Sequence, residues 1–215
     1  MFYIVANFKS YKTQVDAENW LEKFKSLKIE EDKKVIVCPP FTLLPLFKSF
    51  IKENSLQLLL GSQNISPFDE GPYTGEENAK QIKEFADYVL IGHSERRVNF
   101  KEDDNVLDKK CEVALKNGLV PIFLVQSEKD NIPKGVEIIA YEPVFAIGSG
   151  IPDTPDNASA IASVIKKKGD YRVLYGGSVN SENVKEFSRV DNISGVLVGG
   201  ASLEADEFIK VIKNA

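Results

Sequence analysis

Residues 88–125 read YVLIGHSERRVNFKEDDNVLDKKCEVALKNGLVPIFLV, and the kind of fold turns on this stretch. It opens on a continuous apolar run, Tyr88–Ile91, and closes on another, Val120–Val125. Neither alternates apolar with polar residues, which is the pattern of a parallel strand buried on both faces. Between them Leu107, Cys111, Ala114 and Leu115 recur at helical spacing and share one face. Strand, helix and a second strand of the same buried kind make one parallel crossover unit.

The unit repeats in both directions. Runs of the same type occupy residues 2–6, 35–38, 56–61, 136–141, 171–175 and 195–198. Trp20, Leu21, Phe24 and Leu27 supply a helical face after the first run. Ala158, Ile161, Ala162 and Ile165 supply another, with Pro155 and Asp156 at its start. Eight parallel strands with following helices predict an α/β fold, a closed (β/α)8 barrel in one domain spanning residues 1–215, over an open doubly wound sheet. The dinucleotide fingerprint GxGxxG is also absent after the first strand. One interval is anomalous. Residues 126–135 are polar and contain Pro133 and Gly135, so the helix after the fifth strand is expected to be missing or very short. The longest expected loop, residues 64–76, is rich in Pro and Gly.

The chain has 215 residues, with 27 Lys or Arg against 32 Asp or Glu and a formal charge of −5. That balance argues against a broad basic face, so neither nucleic acid nor a membrane surface is an expected partner. A local anion site stays open, because one well-placed Lys suffices. No apolar run approaches the roughly 20 residues of a membrane-spanning helix. The first residues carry no basic leader ahead of their apolar run, unlike a signal peptide. Cys38 and Cys111 cannot form a disulfide framework and lack CxxC spacing, so they read as small core residues and the cytoplasm as the expected compartment. The one histidine, His93, excludes a multi-histidine metal site, and no metal is expected.

Barrel enzymes carry their catalytic groups at the C-terminal ends of the strands and in the loops that follow. Asn7 and Lys9 follow the first strand, and Gly92-His93-Ser94-Glu95-Arg96-Arg97 the fourth. Glu142 follows the sixth and opens Pro143-Val144-Phe145-Ala146-Ile147-Gly148-Ser149-Gly150, whose stiff start and glycines have the composition of a closing lid. Gly176-Gly177-Ser178 follows the seventh strand and Gly199-Gly200 the eighth, where backbone N–H groups can cradle a phosphate. Each residue is commonplace alone: Lys9 as a solvated side chain, Asn7 as a turn residue, His93 as a satisfied core histidine, Glu142 as an ion-pair partner. Their shared address makes them one candidate site. There Lys9 can stabilise an anion, and Glu142 can act as a general base. His93, just before a short helix, can stay neutral and donate a hydrogen bond. Arg96 and Arg97 read as structural charges behind the fourth loop. His93-Ser94-Glu95 is no hydrolase triad, since the strand-to-helix GxSxG elbow is missing.

At these residues the sequence resembles the triosephosphate isomerase family, whose fold is the TIM barrel. The motifs that carry the resemblance are Asn7-Phe8-Lys9, Gly92-His93-Ser94-Glu95-Arg96-Arg97, Ala140-Tyr141-Glu142-Pro143-Val144 with Ala146-Ile147-Gly148, Tyr175-Gly176-Gly177-Ser178-Val179, and Val198-Gly199-Gly200-Ala201-Ser202-Leu203. They span nearly the whole chain in the family's order. The resemblance implies interconversion of dihydroxyacetone phosphate and D-glyceraldehyde 3-phosphate without metal or cofactor, in glycolysis and gluconeogenesis. It implies Glu142 as the base, neutral His93 as electrophile and proton shuttle, Lys9 as positive charge, and Asn7 and Glu95 as polar support. Gly148, Ser178, Gly199 and Gly200 would hold the phosphate through their backbone, and Tyr175 would latch the lid.

The segment Gly71-Pro72-Tyr73-Thr74-Gly75-Glu76 is similar to the family loop that docks into a neighbouring subunit, which implies a homodimer with Thr74 at the contact and leaves a tetramer open. Three departures from the family pattern stand out. Phe145 replaces the usual Trp in the lid hinge, Ile151-Pro152-Asp153 replaces its small, polar far end, and Leu124-Val125-Gln126-Ser127 replaces the usual residues after strand five. A differently specific barrel, or a phosphate-binding barrel without turnover, is the alternative.

Overall fold

Successive strand residues enter two different apolar environments, which is why the strands read as unbroken apolar runs. In β1 (Phe2–Asn7), Tyr3 and Val5 pack with Ile36, Leu90, Ile122 and Leu174 inside the sheet. Ile4 and Ala6 pack outward among Trp20, Phe47 and Phe208. The structure, a computed structural model, describes residues 1–146 and 150–215. The remaining strands are β2 (Lys33–Cys38), β3 (Leu58–Ser62), β4 (Tyr88–Ile91), β5 (Val120–Val125), β6 (Ile138–Tyr141), β7 (Arg172–Tyr175) and β8 (Gly195–Val198). All pair in parallel with their sequence neighbours, and β8 returns to β1 to close the barrel. At the closure Tyr3 faces Gly195, and a Cβ on that glycine would overlap the Tyr3 carbonyl oxygen. Only glycine lets β1 and β8 approach so closely.

The helices are α1 (Gln14–Glu22), α2 (Leu44–Glu53), α3 (Ala79–Lys83), α4 (Ser94–Asn99), α5 (Asp104–Lys116), α6 (Pro155–Lys166), α7 (Val184–Ser188) and α8 (Ala205–Asn214). Their starts are written locally. Thr13 and Asp16 form a capping box on α1, Asp103 caps α5, and Thr154 caps α6 with Pro155 in its first turn. No helix separates β5 from β6 among the described residues, as expected. Instead the Asp130 carboxylate accepts from the Gln126 N–H and the Ser127 hydroxyl, both at 2.7 Å, and folds the connection into a turn. Among the described residues no helix is long and apolar enough to cross a membrane.

Several element boundaries differ from the sequence reading, each for a local reason. The β3 strand begins at Leu58 because Leu56 bonds back to Ile51 in the turn that ends α2. The β6 and β7 strands begin later than the apolar runs because Val136 and Tyr171 are held in turns by the carbonyls of Pro133 and Gly169. The α1 helix stops at Glu22, and Phe24 and Leu27 follow in tight turns, although Phe24 still stacks on Trp20 at 4.0 Å between ring centres. Cys38 and Cys111 are buried.

One buried group escaped the apolar reading. Lys110 lies on the inner face of α5 beside Leu107, Cys111 and Ala114, with its side chain 3% exposed. Its ammonium reaches Glu102 Oε1 at 2.6 Å and Asn64 Oδ1 at 2.7 Å, and Arg96 Nε meets the same Glu102 oxygen at 2.7 Å. The cluster ties the loop after β3 to α4 and α5.

Candidate active site

The C-terminal strand ends open into a cavity of about 310 Å³ lined by Asn7, Lys9, His93, Glu142, Ser178 and Asn180, among others. Its volume is at the small end of ligand pockets, suited to a molecule of a few heavy atoms.

Lys9 enters from the loop after β1 in a left-handed conformation, φ +52°, that costs a side-chain-bearing residue about 1–2 kcal/mol. Asn7 helps hold it there, because its Oδ1 accepts from the Lys9 N–H at 3.0 Å. The Lys9 ammonium meets Glu95 Oε1 at 2.5 Å, across the barrel mouth. Glu95 itself is 44% exposed, so it acts at the rim.

His93 is the N-cap of α4, reached after Gly92, whose φ of +86° is open to glycine alone at low cost. Its Nδ1 accepts from the Glu95 N–H at 3.1 Å. That bond leaves the ring proton on Nε2, which points toward Glu142 Oε1 at 3.3 Å. Burial lowers the His93 pKa to about 4, and the cations Lys9 and Arg96 add to the effect against the opposing Glu95 carboxylate. The imidazole is therefore neutral at physiological pH, and its neighbours are not ion-pair partners.

Glu142 follows β6, pinned by its N–H to the Val125 carbonyl at 2.8 Å. Its other oxygen accepts from the Ser94 N–H at 3.4 Å. Burial pushes the carboxyl up to about 8, against the lowering influence of that N–H and of Lys9. Gly176 lies alongside, where a Cβ would stand 3.1 Å from Glu142 Cγ. A carboxyl and an imidazole thus sit together with pKa values pushed apart, the condition for dividing base and proton-donor roles.

The glycine turns follow β7 and β8, the strands between β6 and β1. Ser178, at φ +51°, donates from Oγ to the Ala146 carbonyl at 2.7 Å, and its own carbonyl accepts from Asn183 Nδ2 at 3.1 Å. Gly177 has no room for a side chain, since a Cβ would overlap the Tyr175 hydroxyl. A Cβ on Gly200 would meet open space, whereas one on Gly199 would touch Lys9 Cε at 3.6 Å. The turn after β8 therefore borders the Lys9 side chain.

The segment after Glu142 starts with Pro143 and a single turn of 3-10 helix, Val144–Ala146. Val144 and Phe145 are exposed and Ala146 is buried. Ile147, Gly148 and Ser149 lie outside the described residues. Beyond them Gly150 lines the cavity, and the Asp153 N–H donates to the Tyr175 hydroxyl at 2.7 Å. Tyr175 thus reaches the far end of the segment it was expected to hold. Arg97 bonds the Gly92 and Leu124 carbonyls at 2.9 and 3.2 Å and Asp104 at 3.1 Å, whereas Arg96 bonds Glu102. Both arginines brace the loop before and after His93.

Thr74 stands apart from the cavity, exposed in the irregular stretch between β3 and α3. Sequence reading missed Asn180 among the polar cavity residues. The Asn180/Asn183 spacing, with Asn183 bonded to the Ser178 carbonyl, was an available turn signal.

Enzymes of this barrel topology carry their acid–base groups at the strand C-termini, and a small cavity bordered by an ammonium and glycine turns suits a proton-transferring isomerase of a small anionic substrate. Comparison with known proteins narrows that class. A family model described as triosephosphate isomerase matches residues 2–215, and the chain belongs to the triosephosphate isomerase family. It is similar to the triosephosphate isomerase of Dictyoglomus thermophilum, 37% identical over 248 aligned positions covering 98% of each chain. Those of Aquifex aeolicus and Mesomycoplasma hyopneumoniae are 35% and 36% identical, covering 97% and 99% of this chain and 97% and 98% of their own. Each alignment is longer than the chain itself, so the relatives carry stretches that this chain lacks.

Proposed function

We propose that this chain interconverts dihydroxyacetone phosphate and D-glyceraldehyde 3-phosphate through an enediolate, with neither metal nor cofactor, in cytoplasmic glycolysis and gluconeogenesis. The observation that carries the reading is a buried Glu142 carboxyl 3.3 Å from Nε2 of a neutral His93, in a cavity shared with Lys9. Glu142 takes the proton from the carbon beside the carbonyl, its basicity raised by burial. His93 donates from Nε2 to the carbonyl oxygen and then relays protons between the two oxygens of the enediolate. Lys9 supplies positive charge to the developing oxyanion, with Asn7 and Glu95 holding its two ends. The phosphate rests on the backbone at Ser178, Gly199 and Gly200. Tyr175 and Ser178 grip the two described ends of the lid segment through Asp153 and Ala146.

The test is the interconversion of the two triose phosphates by purified protein without added metal. Rapid turnover is expected. Tight binding of a phosphorylated three-carbon ligand without turnover would replace this reading with that of a binding barrel.

The assembly we read is a homodimer built on the loop between β3 and α3. Phe68 and Tyr73 stack there at 4.2 Å while remaining 36% and 41% exposed, and Asp69 and Glu70 pin the loop to Lys116 and Lys80. A loop so stiffened, with Thr74 near its tip, is prepared to enter a second copy at little cost in order. Mass measurement in solution should give a dimer or a dimer of dimers, and a stable, fully active monomer would overturn the docking role.

A further inference from the structure

Gln63 lies just past the end of β3 and is none of the groups assigned above. Its side-chain amide donates two hydrogen bonds, to the Lys9 carbonyl at 2.9 Å and to the Cys38 carbonyl at 2.8 Å. Cys38 ends β2, and its carbonyl also receives the Phe8 N–H at 3.2 Å. One primary amide therefore ties together the ends of three neighbouring strands, at the point where the chain after β1 turns left-handed.

Lys9 is one of two cavity-lining residues other than glycine, among those described, with a positive φ; the other is Ser178. A left-handed lysine persists only where its surroundings over-determine it. Three groups do so. Asn7 takes its N–H, Glu95 takes its ammonium, and Gln63 takes its carbonyl. Asn7 lines the cavity and Glu95 stands at its rim, while the Gln63 amide bonds backbone carbonyls alone. Asn7 sits two residues away on the same strand end, so it can follow Lys9 if the loop relaxes. Gln63, on another strand, supplies the fixed external point.

We infer that Gln63 is a positioning residue that holds Lys9 in its left-handed conformation and so sets its ammonium in the cavity. The inference rests on the proposed isomerase reading, in which Lys9 charge serves the reaction. Without the two donors, the Lys9 carbonyl turns toward water, φ returns to negative values, and the ammonium leaves its position beside Gly199. A displacement on the order of an ångström at a charge-bearing group can cost up to about a hundredfold in rate.

The experiment is a double-mutant cycle with Gln63→Met, which keeps the side-chain length without donors, in the parent chain and on a Lys9→Met background. Gln63→Met is expected to lower kcat/KM by about ten- to a hundredfold in the parent and by less than about twofold where Lys9 is already gone. An equal fall in both backgrounds would mean that Gln63 acts elsewhere, and no fall in the parent would mean that it holds nothing of use; either result overturns the inference. Gln63→Ala repeats the cycle should the Met variant misfold. A crystal structure of the variant gives a readout independent of turnover: Lys9 φ should become negative. If the unaltered chain fails to turn over triose phosphates, the functional reading falls on its own account. Lys9 φ then decides the positioning claim, and a φ that stays positive rejects it.

Discussion

Replacing Glu142 with Ala is expected to lower kcat/KM for triose phosphate interconversion by about 10²- to 10⁴-fold, the range typical of a removed general base. The carboxylate is asked to abstract a proton from carbon, and among the described residues no second carboxyl lines the cavity. Glu95, the other acid near the cavity, has its Oε1 bound to the Lys9 ammonium at 2.5 Å and lies at the rim. The loss should fall mainly in kcat, because the glycine turns that would bind phosphate are untouched by the change. The parent enzyme should also show a distinctive pH profile. Burial raises the Glu142 carboxyl to about 8, and only the ionised form can act as base. The ionised fraction grows as pH rises, so kcat/KM should climb through neutral pH and fall toward acid, with its limb well above the ordinary carboxylate range. His93, pushed down to about 4, stays neutral throughout and adds no limb between pH 5 and 8. The acid limb should vanish in Glu142→Ala. A profile flat down to pH 5, or a variant within tenfold of the parent, would remove Glu142 from the role of base.

Most of this site is legible in the sequence because strand ends are marked twice, by the end of an apolar run and by the polar or glycine residue that follows. Ile91 to His93, Tyr141 to Glu142 and Val198 to Gly199 all carry both marks, and the barrel brings their ends to one mouth. Gln63 carries neither mark in a form that points to chemistry. Its role depends on the carbonyls of Lys9 and Cys38, distant in sequence and brought near only when β1, β2 and β3 pair. The left-handed turn at Lys9 was equally hidden, because neither Gly nor Asn occupies the position. The missing helix after β5 was legible from Pro133 and Gly135 in a polar stretch, while the turn that replaces it was not. That turn is set by Asp130 reaching back to Gln126 and Ser127, one side-chain choice among several the same composition allows.

Lys110 shows the limit of periodic reading most sharply, and it carries a prediction about stability. Glu102→Ala is expected to destabilise the fold by about 3–5 kcal/mol, the cost of leaving a buried charge without its counterion. Helical spacing placed residue 110 next to the apolar face of α5 but gave no sign that its ammonium would turn inward. Lys110 is 3% exposed and Glu102 7%, so water cannot take the place of the lost carboxylate. Asn64 would remain as an acceptor at 2.7 Å, a neutral dipole against a full charge. Burial already holds the Lys110 pKa below the usual lysine range while Glu102 pulls it upward. Removing Glu102 should depress it further. The folded variant then binds fewer protons than the unfolded chain, so its stability should rise with pH and its deficit should shrink as the amine neutralises. Denaturant unfolding at neutral and alkaline pH would measure both effects, and a deficit under about 1 kcal/mol would show that the ammonium finds water. Replacing both buried partners, Glu102→Leu with Lys110→Met, removes the buried ammonium together with its counterion and should recover much of the loss, since matched apolar groups often equal a buried pair and Arg96, which also loses Glu102, is 27% exposed and can turn to water. What the double variant should not recover is the tie from Asn64 to α5. A loop after β3 that loosens while the barrel keeps its stability would separate the two jobs of this cluster, holding a charge and holding the segment that carries Thr74.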